Sequence, residues 1–508
     1  MADFQSLPRF LPSAAVSLDE IPACDFDAFS ATVVGLVESG QKLVAFYGRE
    51  VATQTVRLTA VLADHSTGTL TALTTDVGDR FESLTPECPQ AHLFEREIAE
   101  QWGIVVEGHP WFKPVRYHAS YRPGHDAWGR TAGETIMPCV TDYFQVQGTE
   151  IHEVAVGPVH AGVIEPGSFR FQCYGEVVFH LEIALGYQHR GVERAVAGGP
   201  NKRTIHYMET LAGDTSIGHS TAYCQNLEAL AGVKPPLRAQ AVRVVALELE
   251  RLANHTGDLG ALGDDVGFLP TSSFCGRIRG DFLNATAHIC GSRFGRGIVR
   301  PGGVAYDIDG SRPKELIDRL APALRDVAGA AKLLWESMSV QARFEETGEV
   351  SHDTCRKLGL VGPAARACGV DRDMRHDFPT GYWRFAQVPV SSWKTGDVFA
   401  RAYVRHLEVQ RSGTFLLEQL GMLPAGPTRV DVGSLRPNAL AVSLVEGWRG
   451  AICHVATTDH AGRFAHYKVV DPSFHNWIGL AMALRDQQIS DFPLCNKSFN
   501  LSYCGHDL

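Results

Sequence analysis

The sequence predicts an α+β protein, in which a small N-terminal α/β domain precedes a mainly helical domain that contains a β-hairpin region. Apolar residues recur at helical spacing in residues 29–39 and 236–257, and the second stretch favours a helix bundle. Strand-like runs separated by turns lie at residues 42–47, 57–63 and 70–75. Gly and Pro surround alternating apolar residues between 156 and 171, as in a hairpin.

Length and composition limit the classes of function. A chain of 508 residues exceeds one core, so two or more domains are expected. The hydrophobic and charged fractions, 44% and 20%, are typical of a globular protein, and the net charge of −10 argues against a general nucleic-acid binder. No apolar run reaches the ~18 residues of a membrane span, and the first 20 residues do not resemble a secretory signal. We expect a cytosolic protein, which could still dock on a membrane partner.

The cysteine pattern argues against an iron–sulfur cluster in this chain. The sequence has 12 cysteines and no CxxC pair, whereas zinc sites and most iron–sulfur sites contain two cysteines at this short spacing. Scattered cysteines in a cytosolic protein are usually reduced and mostly buried. We therefore expect no cofactor in this chain.

The N-terminal domain is expected to span residues 1–120. Within it, a helix is predicted from Leu93 to a stop near Gly103, and the segment EGHPW follows at 107–111. An amphipathic helix whose charged residues face water would explain the pattern. The longer string FEREIAEQWGI…EGHP resembles the signature of the complex I 30-kDa peripheral-arm subunit. The same domain is fused in the large subunits of some membrane-bound hydrogenases.

Residues 121–150 are rich in Gly, Pro and polar residues and are interpreted as a linker, so the second domain should cover 151–508. This domain opens with the hairpin at 156–171, near whose turn His160 and Glu165 would lie. A lone His at such a place is most often a hydrogen-bonded structural residue. The segment resembles the GPxHxxxxEPGxFRF hairpin of group 4 nickel–iron hydrogenase large subunits. The related complex I 49-kDa subunit has a second His, which contacts quinone, where this chain has Ile164.

Further motifs of the same superfamily follow in order. They are the HRGxE(K/R) motif at 189–194, the (I/V)RPGG turn at 299–303, GPxxRAxGxxxD at 362–373, GDxxxRxxxR at 396–405, ExxRG at 446–450 and DPSF at 471–474. Each match is weak alone. Together with the two segments above they make eight matches across nearly the whole chain, which is a strong resemblance.

The stretch at residues 209–223 (ETLAGDTSIGHSTAY) carries the densest polar chemistry. Asp214, Thr215 and His219 place an acid, a hydroxyl and an imidazole within one and a half helical turns, and Gly213 permits close approach of a backbone or a ligand. Such groups are costly to bury unless they are paired or line a cavity. The stretch also fits a capped helix start, with Asp214 or Thr215 as the cap.

The resemblance gives this stretch a second meaning. Catalytic hydrogenases bind nickel and iron through CGxCxxxH and a C-terminal DPCxxC motif, because this metal pair requires soft thiolates. His219 fits the closing His of the first motif. The four cysteine positions then fall on Ala212, Thr215, Ser502 and Gly505. We therefore expect no nickel, and the quinone-contacting Tyr of complex I, whose position is Gly213, is also missing.

The resemblance implies a hydrogenase-4 component G-like or formate hydrogenlyase large-subunit-like protein without nickel. It would serve a membrane-associated, complex I-related complex that couples electron transfer to ion translocation, on the cytoplasmic side of the cell membrane. The implied partners are an iron–sulfur small subunit, a ferredoxin-like subunit and complex I-like membrane subunits, and the iron–sulfur clusters lie in partners. A quinone-reducing subunit with a rebuilt pocket and a non-redox structural connector stay open as alternatives.

Seven side chains are expected to line the former metal site: His160, Glu165, Asp214, Thr215, His219, Ser502 and His506. Four of them, the two carboxylates with His160 and His219, could form a weaker site for a harder metal. The last ten residues are expected to be ordered and to pack beside residues 212–219. Phe499, Leu501 and Tyr503 are apolar enough to be buried there as a strand or an extended segment.

Overall fold

The N-terminal part is built on an antiparallel sheet. The computed structural model describes residues 7–508 except 53, 132, 162 and 163. Its first elements are β1 (Arg9–Phe10), β2 (Ala15–Ser17), α1 (Phe26–Glu38), β3 (Lys42–Ala52), β4 (Thr55–Asp64) and β5 (Thr69–Val77). Four strands pair in the order β1–β5–β4–β3, and the Asp25 side chain caps α1 by accepting from the Ala28 N–H. The predicted helix and three strands are confirmed, and each strand is longer than its apolar run.

Helix α2 (His92–Trp102) ends at Gly103, as predicted. It follows β6 (Arg80–Glu82) and precedes β7 (Val105–Glu107), which pair in parallel. The idea that its charged residues face water is wrong, because Glu95, Arg96, Glu97 and Glu100 are all buried. Glu100, for example, accepts hydrogen bonds from the backbone N–H groups of residues 115–118. The charges of α2 therefore hold neighbouring segments together.

Replacing Gly103 with Ala is expected to lower the free energy of unfolding by about 2 to 3 kcal/mol. Gly103 has φ +63°, and a Cβ atom there would lie 2.6 Å from the backbone carbonyl of His125. Gly108→Ala is the matched control, because Gly108 has φ +74° and no atom within 4 Å of the added carbon. Its loss should be about 1 kcal/mol, from backbone strain alone. Denaturant titration of both variants checks this, and equal losses would contradict it.

The stretch between β7 and the next strand is irregular. Among its described residues none belongs to a helix or strand. Arg116 lies buried within it and bonds to Glu97 of α2 and to the carbonyl of His506 near the C-terminus. This stretch therefore contacts both helix α2 and the C-terminal segment, while the domain boundaries at 120 and 150 stay predictions.

The predicted hairpin is confirmed. It consists of β8 (Ile151–Val156) and β9 (Ser168–Tyr174), and β10 (Val177–Ala184) adds a third antiparallel strand on the other side of β9. Val156 pairs with Phe169, so His160 and Glu165 lie in the loop that closes the hairpin. Both residues form hydrogen bonds with Tyr503 of the C-terminal segment.

The rest of the chain is mainly helical. The helices are α3 (Val192–Val196), α4 (Thr204–Glu209), α5 (Ser216–Ala231), α6 (Leu237–Asp265), α7 (Leu269–Cys290), α8 (Arg312–Glu336), α9 (Met338–Phe344), α10 (His352–Leu358), α11 (Gly362–Arg366), α12 (Met374–Asp377), α13 (Val398–Gly421), α14 (Pro472–Ala483), α15 (Phe492–Phe499) and α16 (Tyr503–Asp507). Long helices α6, α7, α8 and α13 pack together as the expected bundle, next to the short pair β11 (Val299–Arg300) and β12 (Gly303–Val304). None of the helices in the described ranges combines the length and the apolar character that a membrane span needs.

A second four-stranded sheet joins the two parts of the chain. Strands β13 (Ala439–Gly447), β14 (Gly450–Thr458) and β15 (Phe464–Val470) form three of its strands, and β2 from the N-terminus pairs with β13. The core continues across this junction, since the ring centroids of Phe94 and Phe474 lie 5.0 Å apart. The site described below lies under this sheet.

The C-terminal segment is helical. Residues 492–499 form α15 and 503–507 form α16, so the expected strand or extended conformation is wrong. The expected burial is confirmed, since Phe499, Leu501 and Tyr503 are all in the core. Helix α15 has Pro493 in its first turn and ends at Asn500, which is in a left-handed conformation. Both are typical signals of helix ends, and the spacing of the apolar residues did not reveal them.

Candidate functional site

The turn between α4 and α5 forms the centre of the candidate site. Ala212 and Thr215 are buried, whereas 31% of the Asp214 side chain is exposed. Gly213 is exposed, and a Cβ atom built on it meets no atom within 4 Å. Within the described part of the chain, no backbone segment packs closely against Gly213, and open space lies beside this residue.

Helix α5 is capped by a residue from another helix. Thr215 occupies the N-cap position, but its side chain makes no capping hydrogen bond. Instead Glu250 of α6 accepts from the backbone N–H groups of Ile217 at 2.8 Å and Gly218 at 3.2 Å. The sequence suggested Asp214 or Thr215 as the cap; Thr215 does hold the N-cap position, but the capping hydrogen bonds are made by Glu250. Burial raises the pKa of Glu250 to about 8, so this carboxyl group can bind or release a proton near neutral pH.

Asp214 forms a two-point ion pair with Arg449. Its carboxylate oxygens lie 2.6 Å and 2.8 Å from the two terminal guanidinium nitrogens. Burial disfavours a charged carboxylate, but the charge and the hydrogen bonds of Arg449 outweigh it and lower the pKa of Asp214. The guanidinium carbon also lies 3.9 Å from the centroid of the Trp448 ring. The pair therefore stays charged at neutral pH.

The Thr215 hydroxyl is fully used within the protein. It lies 3.0 Å from Asp214 Oδ1, to which it donates, and it accepts from Trp448 Nε1 and Arg449 Nη1, both at 3.2 Å. A hydroxyl has one proton and two lone pairs, so three partners saturate it. No lone pair remains for a metal ion.

His219 begins a buried chain of hydrogen bonds. Its Nε2 atom lies 3.0 Å from Asp471 Oδ2, and its Nδ1 atom lies 3.0 Å from His454 Nε2. His454 Nδ1 in turn lies 3.0 Å from the Tyr467 hydroxyl. Burial disfavours the charged form of Asp471, but the hydrogen bond and charge of His219 lower the pKa of this carboxyl below its ordinary value. The chain links the turn to β14 and β15 of the second sheet.

The C-terminal segment packs beside this turn, as predicted. Arg449 bridges the two, since its Nε atom donates to the Asn500 carbonyl at 2.6 Å while its other nitrogens hold Asp214. Ser502 is buried and its Oγ atom accepts from the Gly505 N–H at 2.9 Å. Thr215 and Ser502 thus lie on the same side of the domain, connected through Arg449 and its partners.

The residues at the expected cysteine positions do not fit a nickel centre with four thiolates. A Cβ atom on Gly505 would lie 2.7 Å from the Asp471 carboxyl group, so a cysteine there would displace the partner of His219. Cys504 is the neighbouring thiol, 3.4 Å from Ser502 Oγ, and burial raises its pKa to about 12. A protonated thiol is a poor metal ligand.

The remaining predicted residues lie to either side of this centre. His160 Nε2 lies 3.0 Å from the Tyr503 hydroxyl, and Glu165 accepts from the N–H groups of Tyr503 and Cys504 at 3.1 and 3.3 Å. His506 points elsewhere, with Nδ1 3.0 Å from Asp507 and its ring 5.6 Å from Phe474. His160 and Glu165 therefore hold the C-terminal turn. Contrary to the expectation, His506 does not lie beside Asp214.

The alternative metal site is not assembled. His160 and Glu165 bind the C-terminal turn, Asp214 binds Arg449 and His219 binds Asp471. Within the described residues no group of three or more His, Cys, Asp or Glu side chains is arranged to hold a metal ion.

The sequence did not reveal most of the residues that form hydrogen bonds or ion pairs with the predicted site residues. Arg449 and Asp471 lie in motifs that the sequence does show, ExxRG and DPSF, but their spacing says nothing about what they contact. Glu250 sits among apolar residues of α6, and this burial pattern is a signal that could have singled it out. His454 lies on a fully buried strand and is visible only in three dimensions.

Comparisons with known proteins agree with this architecture. The family profile for the 49-kDa subunit of respiratory-chain NADH dehydrogenase matches residues 265–439, and that for the 30-kDa subunit matches residues 10–125. The carbon monoxide-induced hydrogenase of Rhodospirillum rubrum is 30% identical over 352 residues, 69% of this chain and 97% of that protein. Formate hydrogenlyase subunit 5 of Escherichia coli K12 is 27% identical over 441 residues, 83% of this chain and 76% of that protein.

A solved structure shows the same fold. It is titled as the membrane-bound sulfane sulfur reductase, an archaeal respiratory membrane complex, and a chain of it superposes with a TM-score of 0.65 at 22% identity. The match covers 71% of this chain and 99% of that one. This chain therefore belongs to the hydrogenase-like, complex I-related oxidoreductase family and carries the 30-kDa-like and 49-kDa-like units fused in one polypeptide.

Proposed function

We propose that this chain is the nickel-free, hydrogenase-like large subunit of a membrane-associated, complex I-related oxidoreductase complex that couples electron transfer to ion translocation. The observation that carries the proposal is the filling of the former metal site by an ion pair. Arg449 occupies the space between Thr215 and Asn500, and Asp471 lies against Gly505. The site thus has charge and proton-holding groups but none of the soft ligands that nickel needs.

In this proposal electrons travel through partner subunits. An iron–sulfur small subunit faces the turn at 212–215, a ferredoxin-like subunit supplies it, and complex I-like membrane subunits move the ion. The chain itself holds no cluster and sits peripherally on the cytoplasmic face. Support comes from the relatives, which include a carbon monoxide-induced hydrogenase and a formate hydrogenlyase subunit.

The side chains at the turn can link electron arrival to proton uptake. A negative charge that arrives nearby raises the proton affinity of carboxyl groups. Glu250, with a pKa of about 8, already holds its proton at neutral pH, so a proton taken up here would go to Asp214 and would weaken its pair with Arg449. Because Arg449 also holds Asn500, such a change would move the C-terminal segment that meets His160 and Glu165.

Replacing Asp214 with Asn is expected to reduce ion translocation per electron by about ten-fold, a larger loss than the loss in the yield of intact complex. The change removes the charge that holds Arg449 but keeps the size of the side chain. Glu165→Gln is the contrasting variant, since Glu165 accepts two backbone hydrogen bonds and should be needed for assembly. Ion uptake by vesicles and the yield of intact complex are measured for both. Equal loss of yield and coupling in Asp214→Asn would favour a purely structural role.

A quinone-reducing function is the second candidate, and the open space beside Gly213 favours it. In that case Gly213→Leu, whose added Cβ atom meets no atom within 4 Å, should block labelling by a photoreactive quinone. The connector alternative draws support from a different fact, namely that the polar groups of the turn mostly satisfy one another. The connector alternative predicts that the Gly213→Leu chain assembles into the complex and that this complex is as active as the native one.

A further inference from the structure

We infer that this chain carries a second binding site, for a planar aromatic anion of about the size of a nucleoside monophosphate. The site is a cavity of about 320 Å³ between α5, the start of α6, β13 and residues 374–385. Ligand pockets in proteins usually begin at about 300 Å³. Of the described residues, those that line the cavity do not include Asp214, Thr215, His219, Arg449 or Asp471, although Thr221 follows His219 by two residues on α5. The cavity therefore has a lining of its own, and the inference does not depend on the proposed function.

An unused hydroxyl points to a polar ligand inside the cavity. Thr221 lines it with only 6% of its surface exposed, and its Oγ atom has no hydrogen-bond partner among the residues that the structure describes. Leaving a buried polar atom unpaired costs about 1 to 3 kcal/mol. The neighbouring Gln225 is already paired with Ser13 at 3.3 Å and Thr380 at 3.1 Å. Thr221 is thus available to a polar atom of a ligand.

The charge balance of the lining favours an anion. Its two carboxylates are neutralised within the protein, since Glu228 pairs with Arg243 at 2.6 Å and Glu446 pairs with Arg366 at 2.8 Å. Lys234 and Arg384 are exposed lining residues, and among the described residues neither has a carboxylate within 4.0 Å. The uncompensated charge at the mouth is therefore positive.

The aromatic side chains favour a flat ring. Phe385 is 73% exposed at the cavity, and its ring centroid lies 6.4 Å from that of Tyr382. Trp383 behind them is stacked on Phe415 at 5.3 Å and forms a rigid wall. An exposed phenyl ring in the same lining as Lys234 and Arg384 suits a ligand in which an aromatic ring carries an anionic group.

Titration calorimetry of the full chain with four probes tests the inference. AMP and FMN carry both a ring and a phosphate, riboflavin carries the ring alone, and inorganic phosphate carries the charge alone. We expect AMP or FMN to bind at least about ten-fold more tightly than riboflavin and phosphate. The stronger of the two identifies the source of the ring, adenine or flavin.

Three variants locate the binding. Thr221→Val keeps the shape and should weaken binding by about five-fold without lowering the thermal midpoint of the free protein. The double variant Lys234→Ala/Arg384→Ala should weaken it by at least about ten-fold. Lys202→Ala/Arg203→Ala, two exposed cations outside the cavity, is the matched control and should bind as the native chain does. No binding of AMP or FMN at millimolar concentration, equal binding of riboflavin, or unchanged affinity in the first two variants would overturn the inference.

Discussion

Replacing Arg366 with Met is expected to lower the free energy of unfolding by about 3 to 5 kcal/mol, a large fraction of the roughly 5 to 15 kcal/mol that is typical of a folded protein. Arg366 is fully buried, with its terminal nitrogens on Glu446 at 2.8 Å and on Glu408 at 2.5 Å. Met has a similar length but no charge. The variant would leave both carboxylates buried without this partner, and an unpaired buried charge is far more costly than a missing contact.

The effect is large because Arg366 belongs to a buried ionic network. Its members are Arg251, Arg366, Arg375, Glu248, Asp373, Glu408, Glu446 and His255. Four carboxylates thus face three guanidinium groups. Burial and the neighbouring Asp373 raise the pKa of Glu446 to about 7, so a proton on Glu446 relieves the surplus negative charge.

Arg463→Met is the matched control for this prediction. Arg463 also pairs with a carboxylate, Asp459, at 3.0 Å, but it is exposed to solvent. Exposed pairs contribute at most about 1 kcal/mol. Urea unfolding followed by far-ultraviolet circular dichroism compares the two variants, and similar midpoints for both would show that the network does not stabilise the fold.

Replacing Lys42 with Met is expected to raise the free energy of unfolding by about 3 kcal/mol at pH 7. Lys42 is buried and is bonded only to neutral groups, Gln90 Oε1 and His475 Nδ1, both at 3.2 Å. Burial and the charge of Arg372 lower its pKa to about 7. Met removes the cost of burying the amine, and the gain exceeds the roughly 1 kcal/mol that each lost hydrogen bond contributes.

The lowered pKa of Lys42 also determines how the free energy of unfolding changes with pH. Between pH 7 and about 10.5 the unfolded chain binds a proton on Lys42 that the folded chain does not bind. The stability of the native chain therefore rises with pH across this window, and the advantage of the Met variant should shrink to about zero near pH 10. Thermal unfolding at pH 7 and pH 10 checks this. Lys202→Met, at an exposed position, should change neither value by more than about 0.5 kcal/mol, and a pH-independent gain in Lys42→Met would contradict the account.

Local patterns in the sequence predicted local structure well. Helix α2 and its end at Gly103, the long helix α6 and the hairpin of β8 and β9 follow from periodicity and turn residues, which depend on near neighbours. Strand β2 has only three residues, and its partner β13 lies more than 400 residues away, so no local signal marks it. The charged residues of α2 were expected to face water for the same reason, because Lys468, the partner of Glu97, lies 371 residues away in the sequence.

The position of the site could be predicted from the sequence, but the contacts between its residues could not. The motif spacing placed Asp214, Thr215 and His219 on one turn, and the structure brings the C-terminal segment beside them. The bonds that decide their chemistry come from Arg449 and Asp471, and a charged residue in a matched motif does not reveal its partner. Ion pairs of this kind depend on distance in space, which short-range patterns do not encode.

The nickel content of the assembled complex tests the central claim most directly. The native chain is produced with its partners in cells supplied with nickel, purified, dialysed and measured by elemental analysis, with a membrane-bound hydrogenase prepared in parallel as the positive control. The account predicts less than about 0.1 nickel per chain, since Ala212, Thr215, Ser502 and Gly505 provide no thiolate. One nickel per chain that survives dialysis would contradict it.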